Sequence, residues 1–568
     1  MVKHSTEALP QRRLEPTGTL FHPQNPFKFP EKELVSGMSR AQAAFIIGDL
    51  VNWDRSTLCA SCYEDLPEGP QPMKAIWPDY YKLCAVCKIV DIKPEAFTRP
   101  FCRFLQQNPT VFHAVNYFTT KMTLLGYKEL SPREDWAGKI EPGGKYFVTR
   151  NGSSVIAFTV GKAYKPGNGV AMIAGHIDAL TARLKPVSVK PTKAGYVQLG
   201  VAPYAGALNQ TWWDRDLSIG GRVTVRDKSG KTSNRLVKIE RPIARIPTLA
   251  PHFGVGMMGQ NNKETEAVPI IGLDGSSSSF TGGDPAQALG PAGSFVSKQP
   301  PKLVKLIAGQ LGIADYGQIL NWDLELFDVQ PATVGGLDEE FIFGGRIDDK
   351  LCSWAALQGL LLSDQKDDDG VIKLVALFDD EEIGSLLRQG AKGNFLPSVI
   401  ERTVESLCAN SDGNKTTTTA YGPGVMGQTL ARSFLVSADV THAVNPNFLA
   451  RYQEDHAPRL NVGICVCADS NGHMTTDAVS TAILARVCEL GGCAPPQLFQ
   501  IRNDSRSGGT VGPSLSSALG VRAADAGMPQ LSMHSIRATC GALDPGLGVK
   551  FFKAFLDKFE EVDGEWAR

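Results

Sequence analysis

Imidazoles and carboxylates recur at the ends of short apolar runs in this chain. GVAMIAG runs into His176, with Asp178 two places on. Asp348 and Asp349 precede LCSWAALQGLLLS. VIKLVALF ends at Asp379 and is followed by Asp380, Glu381 and Glu382. RSFLVSA ends at Asp439, and PQLSM at His534. Hard carboxylates with imidazoles, and no cysteine among them, suit Zn²⁺, Mn²⁺ or Co²⁺ better than a thiolate-held structural metal. Two such ions about 3.5–4 Å apart can share one carboxylate, activate a water and polarise a carbonyl oxygen. A further carboxylate must then take the water's proton and pass it to a leaving amine. Glu381 and Glu382 suit that division, because neighbouring side chains on an extended segment point opposite ways. One acidic cluster after a strand reads most simply as solvated loop. Several at successive strand ends, with a His-x-Asp pair whose carboxylate can take the imidazole's other N–H, read as a metal centre.

The runs that carry these residues are short, apolar and rich in branched side chains, as buried strands are. LCSWAALQGLLLS has helical character, and PEAFTRPFCRFLQQNPTVFHAVNYFTTKMTLLGY has helical spacing. Strands alternating with helices predict an α/β fold with an open, mainly parallel sheet, whose ligands bind beyond the carboxyl ends of the strands. GRVTVRDKSGKTSNRLVKIE reads instead as two alternating strands around a Ser-Gly turn. Residues 186–335 therefore read as a β-rich domain inserted between catalytic parts 96–185 and 336–568. Within it, LDGSSSSFTGGDPAQALGPAGS reads as a mobile surface loop, and NSDGNKTTTTAYGPGVMG as a second loop before Arg432.

The chain has 568 residues, enough for roughly two to four domains. Lys and Arg total 58 against 59 Asp and Glu, a balance that argues against nucleic-acid binding by phosphate neutralisation. No apolar run is long enough for a membrane span, and the first residues lack a secretory h-region. With no secretory signal, the 12 cysteines read mostly as free thiols of a protein made in the cytoplasm. Cys59, Cys62, Cys84 and Cys87 have zinc-ribbon spacing, but the segment between the pairs lacks obvious hairpin turns. Residues 1–95 read as a leader or irregular insertion of uncertain order. GVGMMG, at Gly254–Gly259, fits a dinucleotide pattern without the strand and helix that would make it one.

Six motifs in order resemble the aspartyl aminopeptidase family of dinuclear zinc metallopeptidases, nearest its fungal vacuolar aminopeptidase I branch. They are AGHIDALTARLKPVS, GGRIDDKLCS, FDDEEIGSLLRQGAKG, SADVTHAVNPNF, NDSRSGGTVGPSL and QLSMHSIRATCG. GVAPYAGALNQTWWDRDLSIGGR and RIPTLAPHFG extend the likeness into the inserted segment. The resemblance implies a phosphorylase/hydrolase-like α/β sheet with an inserted dimerisation domain, and two divalent ions per subunit: zinc as the usual choice, manganese or cobalt as alternatives. It implies that His176, Asp348 and Asp439 hold one ion and that Asp348, Glu382 and His534 hold the other, with Asp348 bridging. Asp348 is preferred to Asp349 because the family places the bridging residue first. Glu381 would be general base and then acid, with Asp178 orienting His176. His252 would enter a neighbouring subunit's site, His442 would stand on the substrate side, and Gly509 and Thr510 would present backbone N–H groups to peptide substrates. Dimers assembled into a dodecamer, an autophagy receptor as partner, and delivery from cytoplasm to vacuole are further implications.

The chain departs from acid-preferring members at SNGHMTTDAVS, where Asn471, Gly472, His473 and Met474 replace a Lys/Arg-bearing stretch. Ala538 likewise replaces a glutamate. A carboxylate buried without a cationic partner is costly, so neutral, Leu-like N-terminal residues are the expected substrates. The alternatives are an acid-preferring aspartyl aminopeptidase, another dinuclear amidohydrolase acting on N-acyl amino acids, and a non-catalytic shell or cargo protein. The first residues carry Pro10, Pro16 and Pro23 and no apolar stripe of the kind the branch's helical propeptide has.

Overall fold

The computed structural model describes residues 93–274, 289–409 and 420–566. The chain divides into Met1–Leu34 and Val35–Arg568, and every described residue falls in the second unit. The cysteines at 59, 62, 84 and 87 and most of the Gly/Ser-rich stretch lie outside the described residues. In chain order the strands are β1 (Lys128–Glu129), β2 (Lys145–Arg150), β3 (Ser154–Val160), β4 (Val170–His176), β5 (Thr181–Val189), β6 (Tyr196–Tyr204) and β7 (Leu217–Arg226). Then come β8 (Thr232–Lys238), β9 (Ile270–Leu273), β10 (Ile319–Asp328), β11 (Thr333–Gly335), β12 (Phe341–Gly344), β13 (Ile372–Phe378) and β14 (Phe434–Ser437). The last are β15 (Thr441–His442), β16 (Cys465–Ala468), β17 (Gln497–Gln500), β18 (Arg522–Gly527), β19 (Pro529–Gln530) and β20 (Ala538–Gly541).

The fold is α/β. A nine-stranded sheet runs β1-β2-β3-β13-β4-β14-β18-β16-β17. At its centre β13, β4, β14 and β18 are parallel neighbours, so their carboxyl ends share one edge. Strands β4 and β13 are buried at every position, which explains why they read as continuous apolar runs without alternation. Helices Ile347–Leu362 and Asp544–Trp566 pack in one core with Val436 and Leu377, while helices Phe395–Ala409 and Val511–Leu519 pack in another with Met172 and Leu374. The sheet is thus covered on both faces.

A six-stranded sheet, β8-β7-β10-β5-β6-β9, is built between β4 and β11 and has its own core around Trp212, Val223, Ile307 and Leu324. The alternating pair read from the sequence is the antiparallel β7–β8 hairpin. Two local readings need correction. PQLSM is not a strand of the main sheet: Pro529–Gln530 pairs with β15, Leu531 bridges Thr539, and His534 sits in a turn at φ 62°. PGVMG is not loop either, because Pro423 opens a helix to Ala431, where a proline at the first turn loses no hydrogen bond.

Candidate metal centre

The shared strand edge brings the clusters together. His176 is the last residue of β4, and Glu381 and Glu382 follow β13 in a short 3-10 turn. Asp439 lies two residues beyond β14. Asp348 and Asp349 interrupt the first turn of helix Ile347–Leu362 with non-helical backbone. His176 Nε2 lies 3.2 Å from Asp348 Oδ1, 3.6 Å from Asp439 Oδ1 and 3.8 Å from Glu381 Oε2. His534 Nε2 lies 3.4 Å from Asp348 Oδ2 and 3.4 Å from Glu382 Oε2. Asp348 therefore turns one oxygen to each imidazole.

Behind this cup, Asp178 Oδ1 is 3.2 Å from His176 Nδ1. Asp178 also accepts the backbone N–H groups of Glu381 and Glu382. The imidazole and the glutamate turn are thus tied to one carboxylate.

Carboxylates outnumber imidazoles in the cup. Burial pushes the Glu381 carboxyl up to about 7 and the Glu382 carboxyl up to about 10, with neighbouring carboxylates adding to the rise. Burial alone would lower the His176 pKa, but Asp439, Asp178 and Asp348 outweigh it and hold the imidazole well above its ordinary value. Glu382 Oε1 is buried without a hydrogen-bond partner. No lysine or arginine lines the cavity in front of these groups among the described residues. Such a donor set fits divalent cations, which satisfy orphaned oxygens and neutralise converging carboxylates.

Ligand atoms of His176, Asp348 and Glu382 lie within 4.8 Å of one another, and so do those of His176, Asp349 and Asp439. The second set includes Asp349, which the sequence reading set aside. Asp349 is fully buried and does not line the cavity, whereas Asp348 does. Its carboxylate stands 3.0 Å from where a Cβ on Gly175 would be, against the floor of β4. Burial raises its pKa well above the carboxylate range, with Asp439 adding to the effect.

The cavity holds about 300 Å³. His442, Gly509 and Thr510 line it, as does Asp439. Cys467, Met474, Phe499 and Ile501, which pack together, and Met533 give it an apolar lining. Asp525, 2% exposed, also lines it, and burial raises its pKa. His473 is outside the lining, with Nδ1 held 2.6 Å from Asp469. His252 is not brought to this cavity: it lies on an exposed 3-10 turn, Pro251–Phe253, its ring tilted against that of Phe253 at 4.6 Å. Asp525 and Tyr204, which hydrogen-bonds Asp178, were missed from the sequence. Met474 falls within a stretch already noted for lacking cations, whereas nothing local distinguishes those two.

Residues 104–556 match the family model described as aminopeptidase I zinc metalloprotease (M18). The chain is 40% identical over 484 residues to vacuolar aminopeptidase 1 of Saccharomyces cerevisiae, covering 84% of this chain and 91% of the relative. It is 41% identical over 484 residues to aspartyl aminopeptidase of Aspergillus oryzae, covering 81% and 96%. Among solved structures, Chaetomium thermophilum mApe1 matches with TM-score 0.75 and 64% identity, over 84% of this chain and 100% of that one. The S. cerevisiae mApe1 dodecamer matches with TM-score 0.71 and 37% identity, over 84% and 99%. A complex of Ape4 and Nbr1 matches with TM-score 0.75 and 37% identity, over 83% and 87%.

Proposed function

Given that this chain belongs to the aminopeptidase I zinc metalloprotease family and is a zinc-dependent aminopeptidase, we propose that it works through two cations held in the His176–His534 cup. The observation that carries the reading is Asp348, with one oxygen toward each imidazole. His176 and Asp439 would complete one site and Glu382 and His534 the other. When bound, the ions make a water nucleophilic near neutral pH and draw charge from the scissile carbonyl.

The chain's own residues do the rest. Glu381, whose Oε2 points into the cup and whose carboxyl is raised by burial, takes a proton from water and delivers it to the departing amine. Asp178 keeps the Nδ1 proton of His176 engaged, so that Nε2 faces the cup. Gly509 and Thr510 present backbone to the substrate, and His442 borders the same space.

We further propose neutral, Leu-like N-terminal residues as preferred substrates. Met474, Phe499, Ile501 and Met533 offer an apolar lining, and Asp525 would oppose an acidic side chain. The relatives named aspartyl aminopeptidase favour the second reading, an acid-preferring enzyme. We also propose dimerisation through the six-stranded sheet, with His252, on its exposed turn, offered to a neighbouring copy; assembly of the dimers into a dodecamer is supported by likeness to a dodecameric structure. A vacuolar destination is supported by the name of the yeast relative, and an autophagy receptor as partner by the Ape4–Nbr1 complex.

The test is zinc content per subunit alongside turnover of leucyl and aspartyl amides, each with free and blocked α-amine. Two zinc per subunit, faster leucyl turnover and loss on blocking are expected. Faster aspartyl turnover would defeat the preference. Undiminished activity on blocked substrates would defeat the exopeptidase assignment.

A further inference from the structure

Tyr204 is the last residue of β6, in the six-stranded sheet, and is 5% exposed. Its Oη lies 2.6 Å from Asp178 Oδ2 and 3.3 Å from Asp380 Oδ1. One hydroxyl has one proton, and the shorter contact places it on Asp178. Burial and then the charge of Asp178 raise the phenol's pKa, so it remains a donor. The ring is held from its other side: the Arg183 guanidinium lies 3.9 Å from its centroid. Arg183 is itself fixed on β5, opposite Glu325 of β10.

Asp178 therefore accepts four donors, and they come from three places in the fold. The imidazole belongs to β4, the two amides to the turn after β13, and the phenol alone to the other sheet. Without the phenol, Oδ2 would keep only the Glu382 amide at 3.2 Å, and the carboxylate would lose its shortest contact, at 2.6 Å. Carboxylates behind a metal-bound histidine fix its ring and raise its basicity, and their loss typically weakens metal binding tenfold to a hundredfold.

We propose that Tyr204 is a positioning residue for the metal centre: donated from the six-stranded sheet, its hydroxyl holds Asp178 so that His176 and the Glu381–Glu382 turn keep their places. This rests on the two-cation reading above. It also assigns the six-stranded sheet a part in the same subunit's chemistry, separate from any role between subunits.

The full chain tests it, with zinc as the only probe. Zinc affinity by chelator competition, kcat, KM and the melting temperature of the metal-free protein are measured for wild type, Tyr204→Phe, Asp178→Asn and the double variant. Tyr204→Phe is expected to weaken zinc binding about tenfold or more and to lower kcat with KM unchanged. In the Asp178→Asn background the same change should cost less than about twofold, because its acceptor has already been altered. Zinc affinity equal to wild type in Tyr204→Phe would overturn the proposal, and so would an equal loss in both backgrounds. If Tyr204→Phe also lowers the metal-free melting temperature, the cycle still decides, since a merely structural loss adds to that of Asp178→Asn. Wild type that takes up no zinc would overturn the metal-centre reading and this one together; wild type that binds zinc beside an unaffected Tyr204→Phe overturns this one alone.

Discussion

Asp348 and His176 meet at 3.2 Å, although one begins a helix and the other ends a strand far earlier in the chain. The opposite Asp348 oxygen reaches His534. Substituting Asp348→Ala should therefore empty both cation positions, whereas Asp439→Ala should spare the His534 side. Metal analysis after dialysis distinguishes them: near-zero zinc in the first variant and a residual ion in the second are expected.

Glu381→Gln should retain zinc and fold while losing most turnover, about 10²- to 10⁴-fold in kcat, because the amide cannot carry the proton. Its zinc content should equal that of wild type. Turnover within a few-fold of wild type would remove Glu381 from the proton's path.

Metal removal should destabilise the protein, more so at higher pH. Without a cation, burial raises the Glu381 carboxyl to about 7 and the Glu382 carboxyl to about 10. A carboxyl raised on folding contributes fully below its ordinary pKa of 4.5 and loses that contribution as pH climbs through the folded value. Asp348 runs the other way: burial opposes ionisation, but hydrogen bonds from His176 and His534 prevail and hold it below the usual range. Its contribution is lost only in acid, outside the glutamates' window. Calorimetry with zinc and with chelator at about pH 5.5 and 8 should give a melting gap of about 5 °C or more at the higher pH, and a smaller one at the lower. Equal gaps would contradict the excess of carboxylates.

Met474→Lys should shift preference toward acidic N-terminal residues. Met474 belongs to the cavity's apolar lining, and no lysine or arginine lines that cavity among the described residues. The ratio of aspartyl to leucyl kcat/KM should rise about tenfold, the scale of one favourable charge pair in a partly buried site. An unchanged ratio would place the specificity determinant elsewhere.

Gly527→Ala should damage the centre from behind. A Cβ there would lie 1.5 Å from the Asp439 carbonyl oxygen, so β18 and the ligand-bearing segment after β14 cannot both keep their places. A loss of about 3 kcal/mol in stability with reduced zinc content is expected. Calorimetry and metal analysis on the purified variant read both.

The central strands were legible because burial on both faces leaves an unbroken apolar run, and the residue at which polarity returns is the strand's carboxyl end. That is why His176, the Glu381–Glu382 pair and Asp439 stand out in the sequence. His534 was found for a weaker reason. Its preceding run resembles a strand in composition, but five residues are too few to separate a sheet strand from a bridge leading into a left-handed turn.

Amino-acid order alone determined the α/β class, the apolar core strands and the kinds of donor available to a metal, since these depend on local pattern and side-chain chemistry. Tertiary structure alone decided which oxygen faces which imidazole, that Asp349 lies buried behind the cup, and that Tyr204 and Asp525 belong to it. Those relations join segments distant in sequence, and no local periodicity records a contact made only when two sheets close on one another.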